Sequence, residues 1–526
     1  MAIKNKVYTI FIYLLFSLSC FSQGSISLIK IDDLTFHNQN EKHYFEKFNG
    51  APDFKTLFGL LFNSFEKEKT GNLAEAIKKV EFHVAYLKKE VIGLSDVKKV
   101  KYVYKYIHKH FLKVYKLNNS FVDIFESGEY NCVSASALYA LVFDQLEIPY
   151  QVREIPQHVY LLAYPNSIKI VVETTSPTKG YFQFNSSFMA AFAKKLVESK
   201  IITKQEYEST SADALFNKYY FSSTGINLIE LAGLQYSNFA IYNLGKNEYK
   251  AALEEAKKAI FLFPGDRNKY LFEYTVAVSV DKLGYETIDN VNNLSILCRF
   301  HKPSDYEIKA EFIQNEFYKI INAQLIKNLN YELLEKSFNI IYAEISDSVF
   351  KNEIALAYYY EIARVGLLNS KNIEFEIENL SKAYSINIIN ANTRSLILGV
   401  YVKYIDKFSD SRSIIEKSDM FANTFDFLKT NDIFLSIKAN CYLDLAYQSY
   451  YLGELAKGDK HIQDFENLMK SNTEIEAKEL FIEKAYAQAA VEYYKKGNKA
   501  KAKQFLNNGI KYAPYSFGLM QRLKSF

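Results

Sequence analysis

A cysteine, a histidine and a carboxylate fall within 42 residues of this chain in an order that suits acyl-transfer chemistry. The run Tyr130-Asn131-Cys132-Val133-Ser134-Ala135-Ser136-Ala137-Leu138-Tyr139-Ala140-Leu141 reads as a loop opening into a helix, with Cys132 in its first turn. A helix start offers unpaired N–H groups and a partial positive charge, and both stabilise a thiolate. Ala and Ser over 134–137 and at 140 let a sheet pack close behind the helix. Asp144-Gln145-Leu146-Glu147-Ile148-Pro149 ends it, and Tyr150-Gln151-Val152 begins extended chain. The alternating segments 156–163 and 168–174 then read as two antiparallel strands joined by Tyr164-Pro165-Asn166-Ser167. With that four-residue loop Ala163 pairs with Ile168, which sets His158 directly opposite Glu173 on one face. A carboxylate there fixes the tautomer of the imidazole while the other ring nitrogen faces the thiol. Nucleophile, base and orienting group are then all present.

The elements that must position these residues are mostly helices. Only 8 Pro and 19 Gly occur in 526 residues, far below the usual 5% and 7% or so. So few chain breakers exclude an all-β sandwich or barrel. Four of the eight prolines (Pro149, Pro156, Pro165, Pro177) crowd into 29 residues around the proposed site. Before it, apolar stripes at Ala74, Ile77, Val80 and Phe82 to Leu87, and at Val97, Val100, Val103, Ile107 and Phe111, predict two helices. From about residue 233 onward the pattern is helical to the end.

Two windows in that last part share one spacing. Tyr249 and Ala252 are followed by Ala259 and Pro264, and Ala502, Gly509 and Pro514 repeat the seven-plus-five interval. Weaker copies surround Leu452-Gly453 with Gly458 and Phe465, and Leu380 with Ala383. These windows resemble tetratricopeptide (TPR) repeats, in which small residues let two antiparallel helices approach and a proline closes the second helix. The resemblance implies a solenoid over 233–526 whose groove takes a protein or peptide.

The segment 95–190 resembles the transglutaminase-like superfamily, a branch of the papain-like cysteine fold. The matching residues are Cys132 opening its helix, Ile148-Pro149 at the helix exit, His158 with Tyr160 on a strand, and Glu173 with Thr175 on the next. By that resemblance Cys132 is the nucleophile, His158 the general base and then acid, and Glu173 the orienting carboxylate. Glu173 stands where the family carries Asp. The expected fold class is mainly α with a small α+β domain, a papain/transglutaminase-like core followed by a TPR-type helical solenoid. The expected organisation is a signal peptide over 1–22, a helical region over 23–94, the transglutaminase-like domain over 95–190, a connecting helical segment over 191–232 and the repeats over 233–526.

Charge and cysteine usage bound the function further. Lys and Arg number 64 against 60 Asp and Glu, interleaved throughout, so no basic stripe points to nucleic acid. Lys4 and Lys6 precede an apolar run from Val7 to Phe16 and then Ser17, Ser19 and Ser22, the pattern of a secretory signal cut after Ser22. Cys20 raises the alternative of a lipid anchor. Outside that signal, no stretch approaches the roughly 18 apolar residues that span a bilayer. The expected location is extracytoplasmic. Removing the signal leaves Cys132, Cys298 and Cys441, an odd number whose spacing fits no zinc pattern. Cys298 and Cys441 sit in helical windows with apolar neighbours and read as core. No cofactor is expected. Two function classes remain: an exported cysteine-dependent amidase, peptidase or transglutaminase-like acyltransferase, and an inactive adaptor that binds protein partners through its repeats.

Overall fold

The computed structural model describes residues 29–47, 52–63, 72–155, 158–176, 180–182, 184–220, 225–300, 310–369, 372–472 and 474–525. The signal expected over 1–22, with Cys20, lies outside the described residues. The chain is mainly α-helical with one small antiparallel sheet. It divides into two compact units, Met1–Gly284 and Tyr285–Phe526.

The first unit opens with helices α1 (Gln39–Lys47), α2 (Phe54–Phe62), α3 (Leu73–Glu90) and α4 (Asp96–His110). Asp53 and Asn72 cap α2 and α3 by accepting from Thr56 N and Glu75 N. The buried stripe of α3 is Ala76, Val80, Val84 and Leu87, and Phe82, expected inside, is 70% exposed. A stripe of four residues at helical spacing leaves no room on that face for Phe82, which lies two positions from both Val80 and Val84. In α4 the buried set is Val100, Val103, Tyr104, Ile107 and His108, with Val97 left outside.

Strand β1 (Val114–Tyr115) pairs in parallel with β2 (Glu129–Tyr130), and the short helix α5 (Asp123–Glu126) lies between them. Helix α6 (Cys132–Gln145) is buried from Val133 to Phe143. That all-round apolar surface marks it as the centre of the unit. Against it lies a five-stranded antiparallel sheet of β3 (Tyr150–Ile155), β4 (His158–Ala163), β5 (Ile170–Val172), β6 (Tyr181–Phe182) and β7 (Gly225–Ile226), in the order β6-β5-β4-β3-β7. Helices α7 (Ser186–Glu198), α8 (Lys204–Ser209), α9 (Ala212–Tyr219), α10 (Leu228–Gly245), α11 (Tyr249–Leu262) and α12 (Asp266–Leu283) complete the unit.

The β4–β5 register corrects the sequence expectation. Ala163 pairs with Ile170, not with Ile168, and the connection runs over six residues rather than four. Tyr164 and Lys169 both adopt left-handed backbone, at φ 50° and 47°, and Lys169 N bonds back to Tyr164 O at 3.1 Å. Two non-glycine residues in that conformation are not readable from composition, since the sequence offers Pro165-Asn166 as the turn. The slip is two residues, so every side chain keeps its face.

The second unit is helical throughout among its described residues, and the windows singled out by spacing are helix hairpins. Asp432–Tyr451 packs on Leu455–Ser471, and Glu479–Lys495 packs on Lys499–Tyr512. In the first unit α10 packs on α11 in the same way. Helix α11 stops two residues before Pro264, and the helix Lys499–Tyr512 stops two before Pro514. The small residues sit at the close approaches. A Cβ on Gly509 would lie 2.8 Å from Tyr486 Cβ and 3.0 Å from Leu519 Cδ1. Gly509→Ala is therefore expected to lose about 1 kcal/mol, the overpacking cost exceeding the helix-propensity gain of alanine. At Gly399, inside the helix Ala391–Ile405, a Cβ would meet nothing within 4 Å, so Gly399→Ala is expected to gain about 0.5–1 kcal/mol. Thermal melts of the two variants should move in opposite directions.

Candidate active site

The site is assembled where the start of α6 meets the ends of β4 and β5. Asn131 caps α6: its side chain accepts from Ser134 N at 2.9 Å, and Ser134 Oγ accepts from Asn131 N at 3.0 Å. This reciprocal box fixes the turn that carries Cys132. The same two side chains reach the preceding loop. Ser134 Oγ donates to Asn119 Oδ1 at 2.7 Å, and Asn131 Nδ2 donates to Leu117 O and Asn119 O, each at 3.2 Å. Asp123 in turn receives Ser120 N and Ser120 Oγ, both at 2.8 Å. All of Asn119, Ser120, Asp123, Asn131 and Ser134 are buried, so the loop is clamped to the helix start by satisfied buried bonds.

β4 presents His158, Tyr160 and Leu162 on one face and Val159, Leu161 and Ala163 on the other. The second set is buried beneath α6, where Ser136 Oγ donates to Val159 O at 3.4 Å. Tyr160, Leu162 and Val171 form a separate apolar cluster with Phe184. Continuing the observed register puts Glu173 across from Tyr160, one pair beyond the end of the ladder and diagonal to His158. The glutamate nevertheless reaches: Glu173 Oε2 lies 2.7 Å from His158 Nε2. A diagonal neighbour is about 7–8 Å away at the backbone, and the methylene that distinguishes Glu from Asp helps to span it. Glu173 Oε1 accepts from Thr175 Oγ1 at 2.7 Å and from Thr175 N at 3.2 Å, so both carboxylate oxygens are engaged.

The turn after Glu173 is held from behind. Tyr104 donates to Ser176 O, and Thr174 Oγ1 lies 3.2 Å from Ser136 Oγ. Gly180 is required here, because a Cβ would overlap Tyr104 Oη and Glu173 O. None of these supports is visible in the spacing of the motif.

The electrostatics follow from the contacts. His158 is held far above its ordinary value, up to about 10, first by a hydrogen bond with the Cys132 side chain and next by that with Glu173; burial opposes both. Burial raises the Glu173 carboxyl, but the hydrogen bonds from His158 and Thr175 outweigh it, so it lies below its ordinary value. His158 and Glu173 keep 27% and 25% of their side-chain surface exposed and Cys132 is partly exposed, so the trio is open to a ligand. The three residues singled out by sequence are thus brought together. The other two thiols are buried, and burial pushes Cys298 up to about 12 and Cys441 up to about 11. Both are inert by comparison.

His108 and His110, two apart on α4, do differ in environment. His108 is 7% exposed against the rings of Tyr104, Tyr130 and Tyr139, and burial pushes it down to about 4. Among the described residues no group of three or more His, Cys, Asp or Glu side chains is arranged to hold a metal ion, and no helix is long and apolar enough to cross a membrane. Compared with family models and with curated proteins, the chain matches none.

Proposed function

We propose that the protein is a cysteine-dependent acyl-transfer enzyme of transglutaminase-like type, cleaving or exchanging an amide through Cys132, His158 and Glu173. The observation that carries this reading is one imidazole 2.7 Å from a carboxylate, its protonated form favoured by the thiol of a cysteine that opens a helix. In the first step the Cys132 thiol passes its proton to His158. The thiolate adds to the amide carbonyl carbon, the C–S bond forms, and the C=O electron pair moves to oxygen. His158 protonates the leaving amine as the C–N bond breaks, leaving a thioester. Water or an amine, deprotonated by His158, then displaces the sulfur and regenerates the thiol. Glu173 stays ionised and keeps the imidazole oriented. The residues needed are all present in the chain, and no cofactor enters the scheme.

The helix hairpins supply the recruiting surface in this proposal. Their close approaches at Gly233 against Phe263, Gly458 against Tyr450 and Gly509 against Tyr486 support a TPR-like reading, in which the solenoid presents a protein or peptide substrate. The Lys-flanked apolar start of the sequence supports export, so the substrate would be extracytoplasmic.

The direct test is thiol labelling of the full chain with iodoacetamide at pH 6. Cys132 is expected to react at least about tenfold faster than free cysteine, which is mostly protonated there, while Cys298 and Cys441 stay unmodified. Equal rates for Cys132 and free cysteine would remove the enzyme reading and leave the adaptor.

A further inference from the structure

The near balance of charge over the whole chain hides one strong local excess. Between Leu73 and Lys116, the stretch that forms α3, α4 and β1, eleven lysines stand against four acidic residues. That is an excess of seven in a chain whose net charge is +4. The helices sort these charges onto one side. Opposite the buried stripe of α3 lie Lys78, Phe82 and Lys89. Opposite the buried stripe of α4 lie Lys98, Tyr102, Lys105 and Lys109. Aromatic contacts close the seam between the two rows. Tyr86 stacks on Tyr106 at 5.3 Å between ring centroids, and Tyr102 reaches across, its Oη donating to Glu90 Oε2 at 3.1 Å. The two rows therefore form one continuous outward face.

Two features distinguish this face from ordinary solvated lysines. Elsewhere exposed lysines are tied to acids one helical turn away, as in Lys336 with Glu332 at 2.8 Å and Lys382 with Glu378 at 2.7 Å. None of the five lysines in these two rows has an ion-pair partner among the described residues, so their field is uncompensated. The second feature is apolar. Phe82 is 70% exposed in the middle of the α3 row, and Ile92, in the turn that joins the helices, is 78% exposed. A soluble polyanion would pair with the lysines and leave these two side chains in water. An anionic bilayer meets both needs, with headgroup charge for the ammonium groups and the acyl boundary beneath it for Phe82 and Ile92. We infer that this face of α3 and α4 docks on a bilayer surface containing anionic lipid, with Phe82 and Ile92 inserted below the headgroups. Docking leaves the Cys132 site free, because Tyr104, which supports the turn after Glu173, lies on the opposite, buried side of α4.

The test is sedimentation of the full chain with vesicles of phosphatidylcholine alone and of phosphatidylcholine and phosphatidylglycerol in equal parts. Binding is expected only to the second, and it should weaken as salt is added. Lys98→Gln, Lys105→Gln and Lys109→Gln combined should lower the partition constant about 10²-fold, since each lysine near an anionic surface contributes roughly a factor of five. Arginine at the same three positions keeps the charge and should keep the binding. Phe82→Ser with Ile92→Ser leaves every charge in place and should lower binding by about tenfold or more. Both side chains are exposed, so the melting temperature should stay that of the wild type, which separates a lost contact from a lost fold. Equal binding to the two kinds of vesicle, or to neither, would overturn the inference. Wild-type binding by the Phe82→Ser, Ile92→Ser protein would overturn it too and leave the face to a soluble polyanion.

Discussion

In the His158→Ala protein, turnover of any amide that the wild type cleaves is expected to fall by about 10³-fold or more at every pH, because one residue is both base and acid in the scheme. The companion variant Glu173→Gln is expected to fail in a pH-dependent way, and the sign follows from the contacts. Protonation of the leaving amine requires the imidazolium. In the wild type that form is favoured by the bonds to Cys132 and Glu173 and persists up to about pH 10, so the alkaline limb of the rate profile should lie far above the ordinary histidine value of about 6.5. Replacing the carboxylate by a neutral amide removes one of those bonds to a charge and shifts the limb downward. A lowered limb costs little at pH 6 and most at alkaline pH, where the variant has lost its imidazolium and the wild type keeps it. On the acid side Glu173 does not limit the wild type near neutral pH, since His158 and Thr175 keep it ionised beneath its usual value. Rate profiles of the two proteins on one substrate check this; a Glu173→Gln limb coincident with that of the wild type would remove Glu173 from the mechanism.

Cys132 at a helix start and His158 near a carboxylate are legible in the sequence because helix opening, strand alternation and a face shared by residues two apart are local properties. The pairing of Ala163 with Ile170 is not, because it depends on left-handed backbone at Tyr164 and Lys169, which no turn-forming residue announces. The slip keeps the face and changes the rung. It also gives the length of the Glu173 side chain a physical reason: from a diagonal position a glutamate suits the span to His158. Asn119, Tyr104 and Gly180 are invisible for another reason. Each acts on the site from a separate segment, 13 to 48 residues away from Cys132 in the sequence, in ways that no period encodes. The stripes of α3 and α4 are legible as stripes, but Phe82 and Val97 fall outside them, since apolar type alone does not fix which residues of a wide stripe are covered. Likewise the chain divides at Gly284, so the window at Ala252–Pro264 belongs with the candidate site's unit and that at Ala502–Pro514 with the second.

The largest stability effect is expected from a residue that belongs to none of these motifs. Glu41 of α1 is 1% exposed, and its Oε1 accepts from Lys258 Nζ at 2.9 Å and from Tyr236 Oη at 2.8 Å. Lys258 is fully buried, and its ammonium also lies 3.6 Å from Glu255, which meets His37 Nε2 at 2.6 Å. One network therefore ties the segment 37–45 to α10 and α11, beside the ring contact of Phe45 with Tyr236 at 5.6 Å. Burial raises the Glu255 carboxyl, but Lys258 and His37 outweigh it and hold it below its ordinary value. Its share of the stability is present above about pH 4.5 and is lost as the pH falls through the lowered value. Removing one member of a buried charged set leaves the rest uncompensated, which costs about 3–5 kcal/mol. Glu41→Ala strands the Lys258 ammonium with only Glu255 at 3.6 Å, and it also leaves the Tyr236 hydroxyl without its acceptor. For a unit of this size that loss corresponds to a melting shift of about 10 °C. The charge argument makes a sharper demand on a second variant. If the cost is the stranded ammonium rather than a missing helix contact, Glu41→Gln combined with Lys258→Met should melt well above Glu41→Ala, since it removes that ammonium and leaves Glu255 its partner His37. If the double variant melts no higher, the N-terminal segment is held by its apolar contacts instead, with Phe45 against Tyr236 as the next residue to remove.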